Sequence, residues 1–297
     1  MPIDTFIIIV FCWVEDHLNQ VTGGAKLRTR GFSPQLSDSE VITMEIVGEF
    51  CGYEGDEAIW EYFKQHWGVW FPGLGDRTTF ARQAANLWVV KQRLHEQLVK
   101  EMGADQAGYY IIDGFPIAVC KLVRAPRSRI LKGKVGYGYC AAKKEYYYGL
   151  KANLLINERG IIIGITLTAA NVDERDSAYD VLPGITGVLL GDKGYIRPQF
   201  KADCVVMGID LQTPLRKNMQ ESRPKWWLHL LGRVRKRIET VISQLEQQFG
   251  LATTRARDVW HLTNQVTRKI LAHTIGVWLN LQQGREPLKL DGLVTAY

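Results

Sequence analysis

Residues 103–108 mark a change of periodicity that narrows the possible folds more than any other feature of the chain. Before them, apolar residues recur at helical spacing. After them come short apolar runs at 109–113, 116–120, 149–156, 161–168, 187–191 and 203–213, punctuated by Gly, Asn and Pro. A period of 3.6 cannot serve as a period of 2, so the switch separates a helical segment from a sheet-forming one. Asn157-Glu158-Arg159-Gly160 between two runs reads as a hairpin turn, which makes the flanking strands antiparallel. A short helix over 177–185 then leads into the run before Asp192, and a long helix follows. Strands, a helix, another strand and a long helix give an α/β (α+β) fold, a mixed sheet flanked by helices.

The segment before the switch carries helix signals of its own. Ser37-Asp38-Ser39-Glu40 has capping-box spacing ahead of Val41, Ile42, Met44, Ile46 and Val47. Thr78 to Lys100 reads as one long helix, with Phe80, Ala84, Leu87, Leu94 and Leu98 on its apolar side. Trp60, Tyr62, Phe63, Trp67, Trp70 and Phe71 lie before it as the core of a helical domain. Such a module also offers Arg77, Arg82, Lys91 and Arg93 as candidate DNA contacts. After Gly250 the pattern is helical again, with Val259, Leu262, Val266, Ile270, Ile275 and Trp278 on one side and a tail of about ten residues. The expected division is a helical domain over 1–105, a sheet domain over 106–250 and a helical extension over 251–297.

Composition removes several function classes. Five cysteines form no C-x-x-C pair and the six histidines no H-x-x-x-H pair, so neither a disulfide framework nor a zinc hydrolase has a starting point. They read as reduced thiols of a cytoplasmic protein. Phe6 to Val14 is too short to span a bilayer and lacks a basic flank and cleavage signal, so a packed N-terminal helix is expected, with no export and no membrane span. The net charge of +6 is modest, and clustering must carry any argument for a polyanionic partner.

Three acids stand in settings suited to chemistry. Asp113 ends the run Tyr109-Tyr110-Ile111-Ile112, Asp192 ends Val188-Leu189-Leu190-Gly191, and Glu239 lies in a basic amphipathic helix. Two aspartates at strand ends and a helical glutamate can form an all-oxygen site for two Mg²⁺, with Mn²⁺ as substitute, which suits in-line attack at a phosphodiester. Each acid also has a plainer reading. Aspartate after a strand favours turns, and Glu239 can pair with Arg235 one turn back. On a helical wheel Glu239 falls near 140° from Val234, at the edge of the apolar stripe, and Glu246 shares its heading. Gly114 and Gly194, close behind the aspartates, leave room for a phosphate. Ala170 to Asp176 is acidic too, but a helix N-cap at Asp173 accounts for it.

Basic residues gather around these acids. Lys132, Lys134, Lys143, Lys144 and Lys151 lie between the first two, Lys193 follows the second, and Arg233, Arg235, Lys236 and Arg237 surround the third. Tyr137, Tyr139, Tyr146, Tyr147 and Tyr148 interleave with the first group, and Glu145 is the one acid there. A charge run is usually a solvated loop; one this poor in acids and rich in tyrosine suits a phosphate backbone with base stacking.

At Ile112-Asp113-Gly114-Phe115-Pro116, the run Tyr137 to Lys151, Ala170 to Asp176, Gly191-Asp192-Lys193-Gly194-Tyr195 and Arg237-Ile238-Glu239-Thr240-Val241, the chain resembles bacterial DDE transposases of the insertion-sequence 982 family. Leu36 to Phe50 and Arg82 to Leu87 extend the resemblance over nearly the whole chain. It implies a ribonuclease H-like catalytic domain with Asp113, Asp192 and Glu239 as the metal-binding triad; the expected arrangement has Asp113 shared by two ions, with Asp192 and Glu239 each holding one. It also implies double-stranded DNA partners (terminal inverted repeats and target DNA), cleavage followed by strand transfer, and a homo-oligomer on paired ends. Related groups carry a Tyr and a Lys around the last acid, where this chain has Gly232 and Glu246. A nuclease of the same fold without strand transfer, or a DNA-binding relic, is the alternative.

Overall fold

The computed structural model describes residues 1–25, 27, 33–141, 143–216, 218–252, 254 and 256–295. In chain order the elements begin with α1 (Ile3–Thr22), α2 (Asp38–Phe50), α3 (Asp56–His66), α4 (Arg77–Asn86) and α5 (Trp88–Glu101). Then come β1 (Tyr109–Cys120), β2 (Gly136–Cys140), β3 (Glu145–Asn157), β4 (Ile162–Ala169) and α6 (Glu174–Ala178). The rest are β5 (Gly187–Leu190), α7 (Pro198–Val206), β6 (Ile209–Gln212), α8 (Lys225–Gln247) and α9 (Val259–Gln282). They form two compact units: Met1–Leu98 with Leu245–Leu251 and Arg255–Tyr297, and Val99–Gln244 with Ala252–Thr254.

The first unit is helical. The capping box at α2 is complete: Glu40 N–H donates to Ser37 Oγ at 3.1 Å, and Ser37 N–H donates to Glu40 Oε2 at 2.6 Å. Such a cap contributes about 1 kcal/mol. The helix expected over 78–100 is two helices, α4 and α5, broken at Leu87. Phe80, Ala84, Leu87, Leu94 and Leu98 are all buried, so the apolar period runs through the break and conceals it. At the break the Ala84 carbonyl accepts from Leu87 N–H and from the Lys91 ammonium, each at 3.1 Å.

Lys91 is therefore no DNA contact. It is fully buried and bonded to Glu45 and Asn264. Arg77, Arg82 and Arg93 are exposed, Arg77 paired with Glu57 and Arg93 donating to Val21 O. Glu45 and Glu49 of α2 also meet Arg268 and Lys269 of α9, so acids and cations lie buried together. Accordingly α9 is buried on most of its circumference rather than on one side, and it packs on α2 and α4. The segment expected as a separate extension thus shares a core with residues 1–98. Nor is the end a loose tail. Leu290 and Leu293 are buried and Thr295 N–H donates to Met1 O at 2.9 Å, while residues 296 and 297 lie outside the described ones. Of the aromatic run, Phe63 and Phe71 are buried edge-to-face at 4.9 Å, and Trp70 is exposed. Among the described residues no helix is long and apolar enough to cross a membrane.

The second unit holds the expected mixed sheet flanked by helices. Its order is β2-β3-β1-β5-β6, with β4 on the outer edge of β3 beyond β2. β1–β3, β2–β3 and β3–β4 are antiparallel, and β1–β5 and β5–β6 parallel. The hairpin between β3 and β4 forms as expected. Asn157 Oδ1 accepts from Arg159 N–H and Ile161 N–H at 3.0 Å, and Gly160 has φ +82°, which glycine adopts without strain.

Three expectations fail in this unit. The runs 109–113 and 116–120 are one strand, because β5 pairs only with Tyr109–Ile111 and Pro116 lies where β1 has no neighbour on that side. The strand expected over 203–213 is the end of α7 followed by β6. The helix expected over 177–185 lies earlier, at α6; Val181, Leu182 and Ile185 are buried from turns instead. They pack with Tyr110, Ile112, Leu155, Tyr195 and Phe200 on one face of the sheet.

Candidate active site

Parallel register sets two acids side by side. Ile111 of β1 lies opposite Leu190 of β5, and Asp113 and Asp192 each follow two residues later. Asp192 leaves its strand as expected and caps the turn Lys193–Tyr195, its Oδ1 accepting from Gly194 N–H at 2.5 Å. Asp113, expected at a strand end, lies inside β1 but beyond the stretch that β5 covers, which opens its side of the sheet. Its Oδ1 accepts from Gly114 N–H at 2.9 Å.

The electrostatics follow from that placement. Burial, and then repulsion from Asp192, push the Asp113 carboxyl up to about 7, against the pull of Arg235 and the Gly114 N–H. Arg235 of α8 brings Nη2 to 3.8 Å from Asp113 Oδ2, and its buried Nε has no hydrogen-bond partner among the described residues. The pairing anticipated between Arg235 and Glu239 is thus replaced by one between Arg235 and Asp113. Glu239 lies one turn beyond Arg235 on the same heading and is exposed.

A third carboxylate lies within electrostatic reach of the pair. Glu174, in the first turn of α6, has Oε1 3.6 Å from Lys151 Nζ. A Cβ added at Gly114 would lie 3.1 Å from Glu174 Oε1, and one added at Gly194 would lie 3.1 Å from Oε2. The two glycines behind the aspartates therefore make room for Glu174. Burial raises its carboxyl, Lys151 lowers it and Asp192 raises it further. Asn153 of β3 fixes α6 here, its Nδ2 donating to Glu174 O at 2.8 Å and Ser177 Oγ at 2.7 Å. Tyr195 in turn donates its hydroxyl to Asn153 Oδ1 at 3.2 Å. The N-cap role of Asp173 holds, since its side chain accepts from Arg175 N–H at 2.9 Å. That reading hid the residue beside it, although the acidic stretch Ala170 to Asp176 marked the segment.

The basic candidates divide. Lys132, Lys134, Lys143, Lys144, Lys193, Arg233 and Lys236 are exposed. Lys151 is turned inward, donating to Val172 O at 3.1 Å beside Glu174. Arg237 is engaged with Tyr109 Oη at 3.1 Å and with Glu158 O, so it ties α8 to the sheet rather than reaching outward.

Among the described residues no three His, Cys, Asp or Glu side chains stand grouped as a metal set. The chemistry of the pair nonetheless fits a hard divalent cation. Asp113 and Asp192 offer only oxygen, and a cation held there would offset both the burial and the Asp192 charge that raise Asp113.

A family model described as a transposase DDE domain matches residues 103–259, more than half of the chain and the whole of the sheet. Among solved structures, a piggyBac transposase synaptic complex with hairpin DNA is similar at a TM-score of 0.48 and 9% identity, covering 95% of this chain and 75% of that one. No curated protein matches.

Proposed function

This chain belongs to the transposase DDE-domain family, and on that premise we propose that it cleaves the ends of an insertion sequence and joins them to target DNA. The observation that carries the reading is the parallel register that sets Asp113 beside Asp192 at the uncovered part of β1. These two acids, with Glu239 as the third, would hold two Mg²⁺, or Mn²⁺ in their place. Bound there, the ions supply Lewis-acid activation of the attacking oxygen and stabilisation of the leaving 3′ oxygen.

The remaining steps belong to the chain itself. Arg235 holds the Asp113 carboxylate in position and offsets part of its charge. The inward pair Lys151–Glu174 walls the site on the α6 side. Lys193, exposed beside Asp192, contacts a phosphate of the bound end, and Lys132, Lys134, Lys143, Lys144, Arg233 and Lys236 follow the DNA backbone. Assignment to the insertion-sequence 982 family rests on the segments around Asp113, Asp192 and Glu239. The same reading gives terminal inverted repeats as the DNA recognised, with residues 1–105 as the end-binding module. A homo-oligomer acts on paired ends in the bacterial cytoplasm, at the nucleoid.

The test uses the purified protein and its Asp192→Asn variant on a labelled duplex carrying the element's terminal repeat, with target plasmid and Mg²⁺ or Mn²⁺. Joined products from the wild type alone support the reading. Hydrolysis without joining makes the protein a nuclease, and binding without chemistry across metals and substrates makes it a relic.

A further inference from the structure

The ribbon formed by β2 and β3 carries four tyrosines on one face. Tyr137 lies opposite Tyr148 and Tyr139 opposite Tyr146. Their ring centroids are 4.9 and 5.0 Å apart. Strand alternation puts all four on the same side, while Tyr147 between them points the other way and is buried. Tyr137 and Tyr139 are each 53% exposed and Tyr146 67%. A row of solvated aromatic rings gives the isolated fold little, so it marks a surface for a partner.

Charge selects the partner. From Lys121 to Lys144 the chain has eight Lys and Arg and no Asp or Glu. A polyanion that also offers flat rings satisfies both features, and nucleic acid is that ligand. In a duplex the base faces are stacked on one another, so rings of this kind are met only by bases that have left the helix.

Position links the surface to the site. Leu154 of β3 lies opposite Asp113, and Tyr148 is six residues away on the same face by alternation. At ~3.4 Å per residue the ladder stands roughly 20 Å from the acid along β3. That is about six nucleotide steps of duplex at ~3.4 Å each.

We propose that the ladder Tyr137/Tyr148 and Tyr139/Tyr146 is a stacking platform for unpaired DNA bases a short distance from the phosphodiester held at Asp113 and Asp192. The proposal rests on the transposase reading and names a structural state of its DNA. It is tested with two variants of the more exposed pair, Tyr139→Ala/Tyr146→Ala and Tyr139→Phe/Tyr146→Phe. The probes are a fully paired duplex and the same duplex with a four-nucleotide unpaired stretch containing 2-aminopurine, in EDTA. The wild type should bind the unpaired probe more tightly and change its fluorescence. The alanine pair should lose about tenfold or more on that probe and keep duplex binding within about twofold, while the phenylalanine pair behaves as wild type.

An alanine pair that matches wild type on both probes overturns the platform. So does equal loss on both probes, or a wild type that binds duplex without preferring the unpaired probe. A wild type that binds neither DNA overturns the transposase reading as well. Circular dichroism of the alanine pair separates lost stacking from lost folding.

Discussion

Replacing Asp113 by Asn should make the metal-free protein more stable while abolishing DNA cleavage. The Asp113 carboxyl stands at about 7 in the folded chain against an ordinary 3.8, from burial first and the Asp192 charge second. A folded-state value above the unfolded one means that the folded form holds its proton more firmly. The contribution of Asp113 to stability is therefore fullest below about pH 4, falls as pH rises towards 7, and levels off above it. That difference corresponds to about 4 kcal/mol at most, and the partial exposure of Asp113 and Arg235 reduces this to roughly 2. Asparagine keeps the shape and removes the titration. Urea unfolding in EDTA from pH 4 to pH 8 should show the variant gaining over wild type as pH rises and the two converging at the acid end. Added Mg²⁺ should then stabilise wild type and leave the variant unmoved. Equal stability across that range, or a variant less stable at pH 8, would refute the argument that Asp113 is held in an unfavourable ionised state for a cation.

Three further outcomes are expected. Glu174→Gln should lower Mn²⁺-dependent end cleavage about 10–100-fold as the loss of a supporting carboxylate, whereas Glu239→Gln should abolish it; the reverse order in a gel assay would exchange their roles. Gly149→Ala should destabilise the sheet by about 3 kcal/mol or more in chemical denaturation, since its Cβ would lie 2.1 Å from Ile117 O and 3.0 Å from Ala118 Cα, both backbone of the paired strand. Lys91→Met should cost the helical unit about 3–5 kcal/mol by leaving Glu45 buried beside fewer cations, and an unchanged melting curve would show that Arg268 suffices alone.

What was legible in the sequence is what local chemistry decides. The capping box of Ser37 and Glu40, the hairpin at Asn157–Gly160 and the N-cap at Asp173 each depend on residues within a few positions, and each forms. What failed depends on neighbours that a linear pattern does not name. Pro116 reads as a strand breaker until β5 is seen to stop at Leu190, leaving that side of β1 without a partner. The break at Leu87 is invisible because its apolar spacing is continuous, and only the buried Lys91 reveals that the Ala84 carbonyl needs another donor. In the apparent tail Leu290 and Leu293 are the described residues that bury, too few to show as a period.

The site repeats that division at closer range. Asp113 and Asp192 were readable because each follows an apolar run, and two adjacent parallel strands make such positions neighbours. Glu174 was not, because its place depends on Asn153 of β3 holding α6 against the sheet and on two glycines that leave its oxygens room. The basic stretch divides for the same reason. Lys151 occupies an inward position of β3 and is drawn to Glu174, while Tyr146 and Tyr148, on the opposite face of that strand, look outward with Tyr137 and Tyr139. Asp113, Asp192 and Glu174 thus lie within electrostatic reach of one another, Arg235 paired with the first and Lys151 with the last, and Asp113 carries much of the unfavourable charge. Sheet register places that charge, which is why a composition of net +6 said nothing of it.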